Sequence, residues 1–296
     1  MNRRTFATFL AGAAMAGAQD EPETLEIGGG IIEVRFRGEF DLPRAALIDW
    51  VNRCARAVTR YFGRFPVEKA RIQIVQGRRG GVGGGRTFGE HGAFTRISVG
   101  QHATPQNLED DWMLTHEMVH FAFPSVAENH HWIEEGSATY VEPVARVQIG
   151  WLKPEKIWND MVRDMPQGLP QPGDQGLDNT HTWGRTYWGG AIFCLLTDVE
   201  IRKRTKNKKG LQDALRGINA AGGTIDQEWP LERAFETGDK ATGTKCLMDL
   251  YREMGSKPAA TDLPALWKEL GVIREEDQVR FDDHAPLARI RLGITK

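Results

Sequence analysis

The chain has 296 residues, 40% hydrophobic and 26% charged, which is enough apolar material for a core of ordinary size and excludes a disordered chain. With 38 Lys and Arg against 40 Asp and Glu the net charge is -2, so no cationic excess exists to attract nucleic acid or an anionic membrane. The 33 glycines cluster locally without a fixed period, which excludes collagen-like and repeat architectures.

At the start of the chain, Arg3 and Arg4 precede an apolar stretch from Phe6 to Ala18 that ends in Ala16-Gly17-Ala18. The stretch is about half as long as a bilayer-spanning helix must be, and its small-residue end suits signal peptidase. Residues 1–18 therefore read as a cleaved export signal. The paired arginines followed by Phe6 resemble a bacterial twin-arginine signal, which implies a periplasmic or extracellular destination. Its removal leaves 36 Lys and Arg against 40 Asp and Glu, or -4, and no transmembrane segment in the mature chain.

Residues 19–103 read as a small mixed β/α lobe. Ile31 to Phe36 alternates as a strand, and Ala45 to Phe62 carries Leu47, Val51, Cys54, Val58 and Tyr61 at helical spacing. Arg71 to Val75 and Ala93 to Val99 read as strands, separated by a Gly-rich loop over Gly77–Gly85. Residues 104–205 turn helical. Thr104 caps a helix with Pro105 at its first position and Glu109, Asp110 and Asp111 near its positive end, running to Phe123 before Pro124. A second helix spans Trp132 to Val141 and stops before Pro143. A stretch without periodicity from Met165 to Thr182 suggests a cleft wall, and a third helix follows over Arg185–Arg204. Residues 206–296 read as shorter helices, at Leu211–Ile218, Trp229–Phe235, Cys246–Met254 and Leu263–Leu270, with no linker long enough to separate them as a domain.

Three cysteines, Cys54, Cys194 and Cys246, form neither a metal pair nor a disulfide framework, and none reads as a nucleophile. Gly80 to Thr87 superficially resembles a phosphate-binding loop. It has Arg86 where that loop needs a lysine, and no helix can open at Phe88-Gly89-Glu90-His91-Gly92. The cations Arg202, Lys203, Arg204, Lys206, Lys208 and Lys209 read as a solvated helix end.

The chemistry concentrates in His116-Glu117-Met118-Val119-His120. Residues four apart share a helix face, so His116 and His120 can reach one metal ion while Glu117 approaches a water on it. Catalytic zinc takes three protein ligands and leaves a position open. A carboxylate from the helix beginning at Trp132 would complete the set, with Glu134 and Glu135 both available because neighbouring helical residues point about 100° apart.

Trp132-Ile133-Glu134-Glu135-Gly136-Ser137-Ala138-Thr139-Tyr140-Val141-Glu142 resembles the zinc-ligand helix of the gluzincin metallopeptidases, especially the membrane alanyl and glycyl aminopeptidases. On that resemblance Glu135 is the third ligand of one zinc ion. The 14 residues between His120 and Glu135 make a shorter connection than those families use, and it contains His130 and His131, which read as loop residues rather than ligands. Tyr187-Trp188-Gly189-Gly190-Ala191 resembles the segment whose tyrosine stabilises the tetrahedral intermediate, so Tyr187 is the oxyanion candidate, with an ordinary buried tyrosine as its alternative. Of the segment that binds the substrate amine in those enzymes, only the acidic residue has a counterpart, Glu90.

The resemblance implies an α+β fold with a thermolysin-like zincin lobe. The activity it implies is hydrolysis of peptide substrates, at their N-terminus if Glu90 holds the free amine and internally if it does not. A non-catalytic envelope binding protein on the same scaffold, or a hydrolase of non-peptide amides or esters, are the other readings. A general base at Glu117 argues against the first of these, since a structural zinc site needs none.

Overall fold

The computed structural model describes residues 21–78 and 80–296, and the export-signal reading of residues 1–18 lies outside them. It has an α+β architecture. A five-stranded mixed sheet is built from β1 (Glu23–Ile27), β2 (Gly30–Arg37), β3 (Lys69–Gly77), β4 (Val82–Phe88) and β5 (Ala93–Gly100), in the order β1-β2-β3-β5-β4. β2, β3 and β5 run parallel, and the two outer strands, β1 and β4, are antiparallel to their neighbours. The period-2 pattern turns Ile32 and Val34 of β2 inward, where they join Ile72, Ile74, Ile97 and Val99. α1 (Arg44–Phe62) crosses over between β2 and β3 and packs Leu47, Trp50, Val51, Cys54 and Val58 into the same core.

The single helix expected from Thr104 to Phe123 is two. α2 (Pro105–Glu109) has Thr104 in a capping box with Asn107. The chain then breaks, and α3 (Met113–Val119) begins afresh, ending in a 3-10 turn at His120–Ala122. Asp111 makes the break. Its buried carboxylate accepts from the amides of Met113 at 2.9 Å and Leu114 at 3.2 Å, and from Trp50 Nε1 at 3.1 Å. An aspartate read from sequence as favouring the first turn of one helix thus caps the next one.

α4 (His131–Gln148) runs through Pro143 instead of stopping before it. Proline inside a helix costs about 3 kcal/mol, but here Tyr140, Val141, Val144 and Ala145 are all buried around it, and that packing offsets the lost hydrogen bond. α5 (Pro154–Asp164) follows, then a π-helical turn at Arg185–Gly189 that leads into α6 (Gly190–Arg204). The remainder comprises α7 (Leu211–Ala220), α8 (Leu231–Thr242), α9 (Cys246–Met254), α10 (Leu263–Leu270), a hairpin of β6 (Val272–Glu275) and β7 (Gln278–Phe281), and α11 (Ala288–Ile294). No helix among the described residues is long and apolar enough to cross a membrane.

Three further readings are corrected. Half of the Gly-rich loop is strand: β4 contains Gly83, Gly84 and Gly85 and forms the sheet edge, with a bulge between Val82 and Gly85. Arg202 is not solvated but buried against Asp198, with Nε to Oδ1 at 2.7 Å. The Met165–Thr182 stretch contributes nothing to the cavity described below. Its Leu177 and Asp178 amides instead donate to the Met254 and Gly255 carbonyls, docking it on α9. All three cysteines are free and buried, and burial raises each thiol pKa.

Candidate active site and metal centre

α3 lies between the sheet edge and α4, packed against both and against α1. Its buried residues include His116 and Glu117, which face a cavity of about 430 Å³ walled by β4, α3, α4 and the π turn. His116, Glu117, His120, Glu135 and Tyr187 all line it.

His116, His120 and Glu135 converge. His116 Nε2 is 3.1 Å and His120 Nε2 3.8 Å from Glu135 Oε2, and the three donor atoms all lie within 4.8 Å of one another. Two imidazole nitrogens and a carboxylate oxygen at these separations fit the donor set and size of a zinc site with a position left for water. The electrostatics fit as well. Burial, followed by the neighbouring His116, lowers His120 to about 4, so its ring is neutral and its lone pair free at pH 7. For Glu135, burial alone would raise the pKa, but hydrogen bonds from His116 and His131 outweigh it and hold the carboxyl well below the usual range. Glu134 also lines the cavity but stands outside the donor group: its Oε1 accepts from the Val126 amide at 3.0 Å and its Oε2 lies 2.8 Å from His131 Nδ1. The rotation of α4 left open by the sequence therefore presents Glu135, not Glu134, to His116 and His120.

Glu117 points toward the sheet edge. Thr87 Oγ1 on β4 donates to Glu117 Oε2 at 2.7 Å, and burial raises the Glu117 pKa against the lowering effect of that hydrogen bond. Gly85 is required here, because a Cβ at this position would meet Glu117 Cγ at 2.6 Å. The glycines that resembled a phosphate loop therefore give the strand edge room beside a carboxylate.

Tyr187 lies in the π turn, its ring stacked on His116 with centroids 6.3 Å apart and planes at 19°. Burial and the Glu135 carboxylate raise its hydroxyl to about 12, so it remains a donor at all ordinary pH values. α4 and α6 can bring their ligand and tyrosine ends together because they cross at two glycines. A Cβ on Gly136 would lie 2.3 Å from Gly190 Cα. The aromatic row extends outward: exposed Trp183 stacks on Tyr187 at 5.6 Å, and exposed Trp112 stands perpendicular to His116, also at 5.6 Å. From the sequence Trp112 reads as an anchor for the motif's helix, yet it is exposed, and Trp183 carries no periodic signal that could have marked it.

Two expectations fare differently. Glu90 sits at the turn after β4, exposed and outside the residues that line the cavity. His131 is not in a loop but opens α4, lines the cavity and contacts Glu134 and Glu135, which together raise it to about 10. His130 Nδ1 pairs with Asp178 Oδ1 at 2.8 Å, away from the donor set.

No protein-family model and no curated protein matches the sequence. Solved structures do. An aminopeptidase N family protein from Idiomarina loihiensis superposes with a TM-score of 0.63 at 14% identity, covering 85% of this chain and 49% of the other. An M1 zinc metallopeptidase from Deinococcus radiodurans superposes at 0.51 and 14% identity, over 82% and 53%, and a mutant of it bound to a Tyr-Ser-Ala substrate superposes at 0.51 and 13%. The structural neighbours are M1 zinc metallopeptidases. At such identity the likeness establishes the fold, and this chain spans about half the length of those it matches.

Proposed function

We propose that this chain is a zinc-dependent peptidase built on a thermolysin-like catalytic lobe, with His116, His120 and Glu135 holding one zinc ion. The observation that carries the reading is the convergence of those three donors beside a buried carboxylate, Glu117, in a cavity on an M1-like fold. When bound, zinc supplies a Lewis acid for the scissile carbonyl and makes water a nucleophile near neutral pH. Glu117 takes a proton from the attacking water and delivers it to the leaving nitrogen as the C–N bond breaks. Tyr187, protonated up to about pH 12, donates its hydroxyl to the carbonyl oxygen as negative charge develops there.

Removal of N-terminal residues is the finer reading, supported by the aminopeptidase N relationship of the structural neighbours. Internal cleavage is the second, favoured because Glu90, the expected anchor for a free amine, is exposed and is not among the residues lining the cavity, although its neighbour Gly89 is. Mass-spectrometric profiling of a mixed peptide library with zinc-loaded protein, run beside Glu117→Gln, tests both. Cleavage by the parent chain alone supports the peptidase, and single-residue trimming against internal cuts decides its mode. Equal profiles for both proteins, with zinc verified, would end the reading. Export is part of the same proposal: N-terminal sequencing of protein recovered from the cell envelope should begin at Gln19, and an intact Met1 there would refute cleavage after Ala18.

A further inference from the structure

The first turn of α4 carries two side chains that the donor set leaves unused, His131 and Glu134, and they form a chain of contacts leading to it. The Val126 amide donates to Glu134 Oε1 at 3.0 Å. Glu134 Oε2 lies 2.8 Å from His131 Nδ1, and His131 Nε2 lies 3.3 Å from Glu135 Oε1. Glu135 thereby has its two oxygens divided: Oε2 faces His116 and His120, while Oε1 faces His131. The spacing explains the contact, because residues three and four apart share a helix face and His131 is the first residue of α4.

We propose that His131 is a positioning residue for the metal centre, donating from Nε2 to the Glu135 oxygen turned away from the histidines and so fixing the carboxylate rotation that presents Oε2 to zinc. Glu134 and the Val126 amide orient His131 in turn. The inference rests on the reading of His116, His120 and Glu135 as the zinc ligands. A glutamate side chain has three rotatable bonds, and one with a single oxygen engaged can swing its other oxygen into the donor position or leave it. A donor on the second oxygen removes that freedom. Groups behind a ligand act in this way in metal sites generally, and their loss weakens metal binding by about 10- to 100-fold. The arrangement also shows how a shorter connection presents the same three donors: the segment is tied at Val126 to the carboxylate that precedes the ligand, and Ser125 is held in place by Gln227 O and the Trp229 amide.

The test is zinc affinity, measured on the full chain by competition with a chromogenic chelator. His131→Ala and Glu134→Gln should each weaken zinc by about 10- to 100-fold. His131→Gln, which keeps an amide donor, should recover part of the loss, and Glu135→Ala should lose the most. The His131 side chain is 45% exposed, so these variants open no core cavity, and their metal-free unfolding midpoints should match the parent's. If one does not fold, His131→Gln and Glu134→Gln still read the two ends of the chain of contacts. Wild-type affinity in His131→Ala overturns the proposal. Tight zinc in the parent chain, weakened in His131→Ala, but with no peptide cleaved, removes the peptidase reading and leaves this one standing. Zinc bound no better by the parent than by Glu135→Ala overturns both.

Discussion

At the scale of single residues, the side chain most sensitive to its surroundings is Glu117. Burial pushes its pKa up, and the Thr87 hydroxyl, which donates to Oε2 at 2.7 Å, pulls it back. A carboxyl that must be ionised to take a proton loses activity as pH falls through its pKa. Thr87→Val removes the donor that favours the ionised form and preserves shape, so the acidic limb of the kcat/KM profile should move to higher pH. Activity at the alkaline plateau should change much less. A limb that stays in place would take Glu117 out of the role of base. Tyr187 makes a different prediction. Because its hydroxyl is held at about 12, it should set no alkaline limb below that pH. Tyr187→Phe should lower kcat by about 100- to 1000-fold, the usual effect of removing one oxyanion donor, with KM little changed. Full turnover in the phenylalanine variant would return Tyr187 to the role of a stacking partner for His116. Both tests depend on contacts that only folding creates. From sequence, Glu117 could be identified because two histidines flank it, but Thr87 could not, since 30 residues separate it from Glu117 and its partner lies across the strand edge.

At the scale of elements, the site depends on where α3 begins, and the sequence was least informative there. An unbroken polar and apolar pattern from Thr104 to Phe123 reads as one helix, because Glu109, Asp110 and Asp111 suit the first turns of a helix. Nothing in the local pattern reveals that Asp111 bonds to Trp50, 61 residues away. Asp111→Ala should therefore do more than remove a cap. It frees two backbone amides and leaves the buried Trp50 indole without its acceptor, a combined cost of about 2–4 kcal/mol. Urea unfolding should show a lower midpoint with an unchanged slope, and a loss below about 0.5 kcal/mol, the range of an ordinary surface change, would mean that the break in the helix is set by something else. The same distinction runs through the fold. α9 and α10 were legible to the residue, because apolar spacing and a following glycine agree in both, and Asp262 caps α10 as well. Pro143 inside α4 was not, because burial of the residues around it decides whether a helix survives a proline. The edge strand β4 was not, because Gly83-Gly84-Gly85 has low strand propensity and is held by its neighbour β5 and the bulge. The candidate ligand motifs of α3 and α4 were legible for the opposite reason: the chemistry proposed for them, not propensity, dictates their residue types and spacing.

At the scale of the whole molecule, what matters is whether residues 206–296 share the stability of the part that carries the candidate site. The contacts that join them are buried or half-buried, and shared. The Asp198 carboxylate on α6 accepts from Tyr140 of α4 at 2.9 Å, from Arg202 of its own helix at 2.7 Å and from the Leu211 amide of α7 at 2.9 Å, so one side chain ties α4, the helix after the π turn and the first helix of the C-terminal part. Arg216 and Gln212 of α7 reach the Tyr61 carbonyl at the end of α1, and Tyr251 of α9 donates to the same Asp178 that accepts from His130 and Trp132 at the start of α4. Phe193, Phe235 and Trp132 interlock three helices through their rings. With bonds of this kind crossing between parts, neither can open without exposing polar groups of the other, and thermal unfolding should be one transition, coincident by far- and near-ultraviolet circular dichroism. Asp198→Ala tests the joint directly. It leaves Arg202 as a buried charge without its partner and Tyr140 without an acceptor, a loss of about 3–5 kcal/mol, and should lower the midpoint by on the order of 10 °C while keeping a single transition. Zinc, binding only the folded chain, should raise the midpoint of both proteins by mass action. An Asp198→Ala protein that melts in two steps, with the zinc-dependent step unmoved, would mean that residues 206–296 fold apart from the part that carries the candidate site.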